Sequence, residues 1–319
     1  MRTFKYVLKR LLFMVITFFI IMTITFCLVK TLQTEVPLGK DGVTELARRK
    51  ALGWDKPVLV QYGIYLRNIF TKLDFGTSFR VLYMQPVFKI MMDRMPPTIL
   101  VNVLSILIGL PLGVALGIFA ALKKNTWIDH VISVVIVVFI SVPSFVLAFF
   151  LQYFLGFKLK WFPIMMYSQA DAGGLLTWKM IYSLMLPIFA SAFYEIAYFA
   201  RFVRAELTEA LTSDYMLLAR TKGLTQSKAV IHHALKNAMV PILPAVIATF
   251  LGILGGSMVL EQIFAIPGVG KLTLQALFTR DYDLFVGTAM FYTAIGLLAG
   301  ILTDLSYGFL DPRIKMGER

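Results

Sequence analysis

One short stretch carries the residue types of a phosphate-binding loop. Pro267 to Thr273, "PGVGKLT", offers two glycines, a lysine and a hydroxyl in close succession. A phosphate-binding loop cradles phosphate with backbone amides and that lysine. It also needs a glycine five residues ahead of its last one and Ser or Thr directly after the lysine. Ala265 and Leu272 stand in those places. The stretch is therefore read as a tight turn in which Gly268 and Gly270 supply backbone freedom, and no nucleotide is expected there.

Other reactive side chains are sparse. Three His and one Cys, with Cys27 inside an apolar run, leave no zinc or disulfide framework, so no metal and no catalytic constellation is expected. Glu195 and Asp304 are the ionisable residues deepest in apolar segments. Burying either alone is costly, so each should face a bundle interior, a partner or water. For Glu195 two readings stand: a place on a substrate pathway, or a structural pair with Tyr198 or Arg201 on the same helix face. Asp304 is read as structural.

These residues sit in a chain built for lipid. Of 319 residues, 58% are hydrophobic and 15% charged, and the mean hydropathy is +0.77; one soluble core could not hide that much apolar surface. A span needs roughly 20 apolar residues, and several windows meet this as helices, which excludes a barrel. Six spans are expected: Leu11–Val29, Thr98–Leu122, Ile128–Phe157, Met180–Phe202, Val240–Phe264 and Leu284–Leu310. The first follows a basic start, "MRTFKYVLKR", without a cleavage site, and reads as a retained signal anchor. The domain reading is 1–30 for the N-terminus and first span, 31–97 for an outer loop or cap, and 98–319 for a five-helix core. That core includes a loop at 204–239.

Orientation follows from Lys and Arg in short loops. With the outer loop of residues 30–94 set aside as too long for the rule, fifteen basic residues lie on the N-terminal side against five opposite. Both termini are therefore expected in the cytoplasm, in a multi-pass protein of the cell membrane. Trp161, Trp178 and Trp127 then fall at interfacial depths. The net charge of +13 flanks spans instead of gathering on one face. Anionic headgroups suffice as its partners, and no nucleic acid is expected.

Glycines recur at four-residue spacing: Gly109, Gly113 and Gly117, then Gly252 and Gly256, then Gly296 and Gly300. Such ridges let helices approach closely where lipid gives no hydrophobic push between them. Helix packing is the role expected of them.

Asp214–Pro241, "DYMLLARTKGLTQSKAVIHHALKNAMVP", reads as two water-facing helices. Ser213 or Asp214 caps the first, Tyr215, Leu218 and Ala219 share one face, and Gly223 stands where a left-handed residue would end it. Val230, Ile231, Ala234, Leu235 and Ala238 stripe the second. One face can rest on the bundle, which leaves the other for a soluble partner. In the outer loop, Pro57–Thr71 reads as an amphipathic helix with Val60, Ile64 and Phe70 among its apolar positions.

This loop resembles the coupling loop of binding-protein-dependent ABC importer permeases, in the form "DY…ARTKGL…HHALKNA…P" of the dipeptide and oligopeptide subfamily. Ala219 and Gly223 sit at the spacing of that motif's second Ala and its Gly. The general motif's Glu-Ala is Leu217-Leu218 here, a departure usual in the peptide subfamily. "LGWDKPVLVQYGIYLRNIFTKLDFGTSF", "PVFKIMMDRMPPT", "LEQIFAIPGVGKL", "RDYDLF" and "LDPRI" resemble subfamily stretches in subfamily order. "TEVPLGKDG" stands where such permeases often read Pro-Gly-Asp-Pro.

The resemblance implies an all-α membrane protein with the type I ABC importer permease fold and a small extracellular cap. It implies a channel-forming subunit that takes up peptides. Its partners would be a second homologous permease, two cytoplasmic ABC ATPases that hold ATP and Mg, and an extracytoplasmic peptide-binding protein. Tyr215, Ala219, Arg220, Thr221, Lys222, Gly223 and Leu224 would form the ATPase-coupling loop, with Ala219 facing the ATPase groove. Nickel, glutathione and other solutes are alternative cargoes of the same permease type. A stand-alone secondary transporter is the rival of another class, but it predicts inverted repeats and broken helices around midplane charges, and the halves show no convincing duplication.

Overall fold

The computed structural model describes residues 2–31 and 42–310, with side chains from Lys5 through Ser306. Nearly all of "TEVPLGKDG" and "LDPRI", and the basic C-terminus, lie outside the described residues. The regular structure of the described residues is helical apart from one hairpin of two two-residue strands. α1 is Arg2–Thr31, α2 Gly42–Ala51, α3 Val58–Lys72, β1 Thr77–Ser78, β2 Gln85–Pro86 and α4 Val87–Leu122. Next come α5 Trp127–Ser141, α6 Ser144–Leu151 with a π-helical extension Gln152–Lys158, α7 Gln169–Ala172, α8 Trp178–Ser183 and α9 Met185–Leu211. α10 is Asp214–Thr221, and α11, Gln226–Ala229, runs through a π-helical stretch Val230–Leu235 into α12, Lys236–Gly252. α13 is Met258–Ile263, α14 Val269–Phe278 and α15 Tyr282–Leu310.

Among the described residues, five helices are long and apolar enough to cross a membrane: Lys5–Thr31, Val87–Leu122, Met185–Leu211, Gln226–Gly252 and Tyr282–Ser306. A sixth span exists only if α5 and α6 with its extension count as one, and they meet at a 100° bend. The expected Ile128–Phe157 helix is thus broken, and Pro143 is the cause. It has no N–H to donate and its ring crowds the carbonyl one turn back, so Val142 is pushed to an extended ψ of 121°.

The fifth span also moves. The amphipathic stripe and the apolar run were expected as separate helices, yet one helix covers Gln226–Gly252, with Pro241 and Pro244 inside it. It ends where Gly256 takes a φ of +60°, and residues 258–263 form their own short helix.

Two compact units emerge from the contacts. The first holds residues 1–99, 254–262 and 266–301; the second holds 100–253, 263–265 and 302–319. In the first unit, Met22, Phe26 and Val29 of α1 pack with Tyr65 of α3 and Val286 and Met290 of α15. A neighbouring cluster joins Val87, Ile90 and Met91 of α4 to Leu272 and Ala276 of α14 and Leu284 of α15. Ion pairs order the residues around them. Lys30 meets Asp283 at 2.8 Å, both side chains nearly sealed from solvent, and Arg48 holds Asp74 through both carboxylate oxygens. α3 turns a different face inward than its apolar pattern suggests: Gln61 and Tyr65 are buried, while Val60 and Phe70 are exposed. Aromatic contacts decide this, since Tyr62 and Tyr65 both pack on Phe26.

α9 organises the second unit. Ala197 and Ala200 pack against Ile136 of α5, and Phe199 and Val203 pack against Ile242 of α12.

Candidate functional site

The segment expected to meet a partner lies in the second unit and begins as an extension of α9. Leu207 and Ala210 of that helix, Met216 and Ala219 of α10, and Ala229, Val230, Ala234 and Ala238 of the next helix form one buried cluster with Ala121 at the end of α4. Five of these are alanines beyond Ala121, so the backbones approach closely. The first helix stops as its sequence suggests. Gly223 adopts φ +84°, its N–H bonds to Arg220 O at 3.0 Å, and the Leu224 N–H bonds to Ala219 O at 3.3 Å. This is a Schellman closure, with Leu224 packed on the cluster as its hydrophobic contact.

One expectation fails here. Ala219 does not face outward; it is 4% exposed and points into the chain's own core with Met216. Tyr215 and Leu218, expected beside it, are exposed. The exposed surface is Tyr215, Leu217, Leu218, Arg220, Thr221 and Lys222, with Leu217 at 66% and Leu218 at 56%. The α-helical 100° step puts residues 216 and 219 on one side and 217 and 218 on the other, and the alanine cluster selects the first pair for burial. Ser213 precedes the helix, but its hydroxyl donates back to Ala210 O at 2.6 Å and makes no cap bond.

An ion pair at the base of this hairpin escaped the sequence reading. Arg204 donates Nε to Asp129 Oδ1 at 2.6 Å and Nη2 to Oδ2 at 2.8 Å, while the Asn125 N–H donates to Oδ2 at 3.0 Å. The fork fixes the α4–α5 turn to the stretch of α9 that carries the hairpin. The available signal was an aspartate in the first turn of an apolar helix, where it faces the helix dipole.

The first glycine ridge of the sequence sits against α9. A Cβ on Gly109 would lie 2.6 Å from Glu195 Cβ, one on Gly113 2.8 Å from Ile196 O, and one on Gly117 2.7 Å from Ala200 O. Gly252 differs: nothing lies within 4 Å of its would-be Cβ. Gly256 is outside any helix, so those two form no ridge, because the helix ends between them. Gly296 and Gly300 also meet nothing within 4 Å. Glu195 is half-buried, and among the described residues its carboxylate has no hydrogen-bond or ion-pair partner, so the pair with Tyr198 or Arg201 is not formed.

In the first unit the phosphate-loop look-alike does cradle an anion, and the anion is the chain's own. Glu261, 4% exposed, accepts Thr98 Oγ1–H at 2.8 Å on Oε1 and the Lys271 N–H at 2.8 Å on Oε2. Thr98 Oγ1 in turn accepts the Val269 N–H at 3.0 Å. Burial pushes the Glu261 carboxyl above its usual range, against the opposing pull of these hydrogen bonds and of the Gly270 amide. The glycines serve close approach, not unusual dihedrals. Gly268 is extended at φ −100°, yet a Cβ on it would fall 2.4 Å from Glu261 and from Thr98. A Cβ on Gly270 would fall 2.8 Å from Met258 N, and one on Gly256 2.5 Å from Glu261 Oε1.

Among the described residues no group of three His, Cys, Asp or Glu side chains could hold a metal ion. Trp127, Trp161 and Trp178 are exposed.

Comparison with known proteins agrees with this architecture. The family described as "Binding-protein-dependent transport system inner membrane component" matches residues 113–316, and the N-terminal family that accompanies it, "Binding-prot-dependent transport system membrane comp, N-term", matches residues 3–102. The dipeptide transport system permease protein DppB of Lactococcus lactis subsp. cremoris is 34% identical over 316 residues, 98% of this chain and 99% of that protein. DppB of Bacillus subtilis is 34% identical over 321 residues, 99% of each. Among solved structures, the inward-facing MetNI methionine ABC transporter superposes with a TM-score of 0.55 at 15% identity, covering 70% of this chain and 97% of that one. The shared fold is that of type I ABC importer membrane subunits.

Proposed function

The chain belongs to the binding-protein-dependent transport system inner membrane component family, and we propose that it is the channel-forming membrane subunit of an ATP-driven importer that takes up peptides. The observation that carries the reading is likeness along the whole length to permeases named for dipeptide transport. A short shared motif would support only the fold; a match over 98% of the chain and 99% of a permease named for dipeptide transport supports a shared role.

In this reading the chain pairs with a second homologous permease. Two cytoplasmic ABC ATPases hold ATP and Mg and do the hydrolysis, and an extracytoplasmic binding protein delivers the peptide. The hairpin of residues 204–238 is the ATPase contact, which places both termini in the cytoplasm. Its exposed Leu217 and Leu218, beside the cations Arg220 and Lys222, supply an apolar centre with a charged rim, the composition of a protein–protein interface. This chain hydrolyses nothing. The amides that would hold a phosphate in "PGVGKLT" are already engaged by Glu261.

The test is growth of an amino-acid auxotroph, deleted for its own peptide permeases, on dipeptides or longer peptides as the sole source of that amino acid. Growth that requires this gene together with its ATPases is expected. Uptake of nickel or glutathione by the same complex, with none of any peptide, would overturn the peptide assignment while leaving the permease assignment intact.

A further inference from the structure

The first unit contains a cavity of about 320 Å³, open on one side and lined by residues of α1, α3, α4 and α15, with Phe19, Met22, Phe70, Phe88, Met91 and Phe291 among its walls. No charged side chain lines it and its surface is almost wholly apolar. Water is a poor occupant, because a buried water needs two to four polar partners. An empty space of this size would forfeit dispersion contacts all round its lining. Neither water nor vacuum suits it, and a hydrocarbon does.

What supplies the hydrocarbon follows from the helices around it. Three of the four are membrane spans by length and hydropathy. α1 turns Leu12, Ile16, Ile20, Ile24 and Leu28 outward at four-residue spacing, a lipid-facing stripe, while Phe18, Phe19 and Met22 on its other side line the cavity. The walls that reach the surface are Phe70, Phe88 and Met92, all exposed. We propose that this cavity is a lipid site: it takes one acyl chain of a bilayer phospholipid. Methionine suits such a guest, since its flexible thioether fills irregular space.

The experiment uses the assembled transporter in bilayer nanodiscs that contain a phosphatidylglycerol with a diazirine at the end of one acyl chain. After irradiation, labelled peptides are mapped by mass spectrometry. Labelling of Met22, Met91 and Phe291 is expected beside the unavoidable labelling of the α1 outer stripe. Ala294→Phe, which fills the space from α15, should lower cavity labelling at least fivefold and leave the stripe unchanged. Stripe labelling without cavity labelling in the unaltered protein would overturn the proposal, whatever the variant does. So would displacement of the cavity label by a hydrophobic peptide substrate at transport concentrations, which would make the space part of the pathway.

Discussion

Glu261 accepts the backbone N–H of Lys271, ten positions on in the chain, at 2.8 Å, and in doing so occupies the N-terminus of α14. Thr98 of α4 donates to the other oxygen at 2.8 Å. One carboxylate therefore joins three segments of the first unit, and three donors lose their acceptor network if it goes.

Glu261→Gln preserves shape but turns one acceptor into a donor that must face either Thr98 or the Lys271 amide. A loss of about 1–3 kcal/mol is expected, the cost of a buried polar mismatch. Burial raises the carboxyl's folded-state pKa above its unfolded value near 4.5. The stabilising contribution of the protonated form is then full below that unfolded value and is lost as pH rises through the folded one. The thermal midpoint of the unaltered protein should thus pull further ahead of Glu261→Gln as pH falls from about 7 toward about 4.5. A gap that is flat or narrows over that range would contradict the account.

The ridge on α4 gives a sharper contrast. Gly117→Val must push against Ala200 O at 2.7 Å and Val203 Cβ at 2.8 Å, and Gly113→Val against Ile196 O at 2.8 Å. Backbone on the far side cannot yield cheaply, so each should cost about 1–3 kcal/mol or more. Gly300→Val, with open space around it, should leave the isolated chain within about 0.5 kcal/mol of its starting stability. Thermal unfolding of the three detergent-solubilised variants would check this, and equal losses would refute it.

Gly223 separates conformation from space. Its φ is +84° and nothing lies within 4 Å of a would-be Cβ, so the requirement is for a left-handed backbone alone. Gly223→Asn should be nearly neutral, Gly223→Ala should cost about 1 kcal/mol, and Gly223→Val should cost more. The order Asn, Ala, Val in thermal midpoint is the readout; a reversed order would mean that side-chain size matters after all.

These positions show what the sequence could and could not disclose. The Gly223 turn was legible because its cause is local: a residue without Cβ after an amphipathic turn. The ridge at Gly109, Gly113 and Gly117 was legible as a period. Its extension to Gly252 and Gly256 was not, because spacing alone does not reveal that the helix ends between them. The break at Pro143 carried a local signal that the surrounding apolar run masked. Glu261 and the Asp129–Arg204 fork were invisible for a different reason. Their partners lie far along the chain, Thr98 at 163 residues and Arg204 at 75, and no local pattern encodes such a pairing. The inward face of Ala219 was missed because two faces of a short helix were both plausible until its partners were known.

Arg204→Ala tests the fork. Asp129 is buried, and removing its guanidinium leaves a carboxylate held only by the Asn125 N–H. Loss of a partner from a fully buried pair costs about 3–5 kcal/mol; with Arg204 about a third exposed, about 2 kcal/mol is expected here. Asp129→Asn with Arg204→Ala together should lose less than Arg204→Ala alone, since no charge is then stranded. A double variant that is the sum of the singles would mean that the two residues do not act as a pair.

The exposed face of the hairpin makes the most direct claim on function. Leu217 and Leu218 present two large apolar side chains outward while Ala219, one residue on, is sealed in the core. Leu217→Arg with Leu218→Arg should barely change the thermal midpoint, because surface substitutions away from special features fall within about 0.5 kcal/mol. If the face docks an ATPase, the same pair should cost about 2 kcal/mol or more of association, since central apolar anchors carry most of an interface's energy. Co-purification of the ATPases should then fall at least tenfold, and peptide uptake with it. Ala219→Arg must fail differently: it forces a charge into the alanine cluster, so the midpoint drops and every activity falls together. Normal ATPase attachment and normal uptake in the Leu217, Leu218 variant would show that the exposed face is not the contact, leaving the hairpin as a packed linker between α9 and α12.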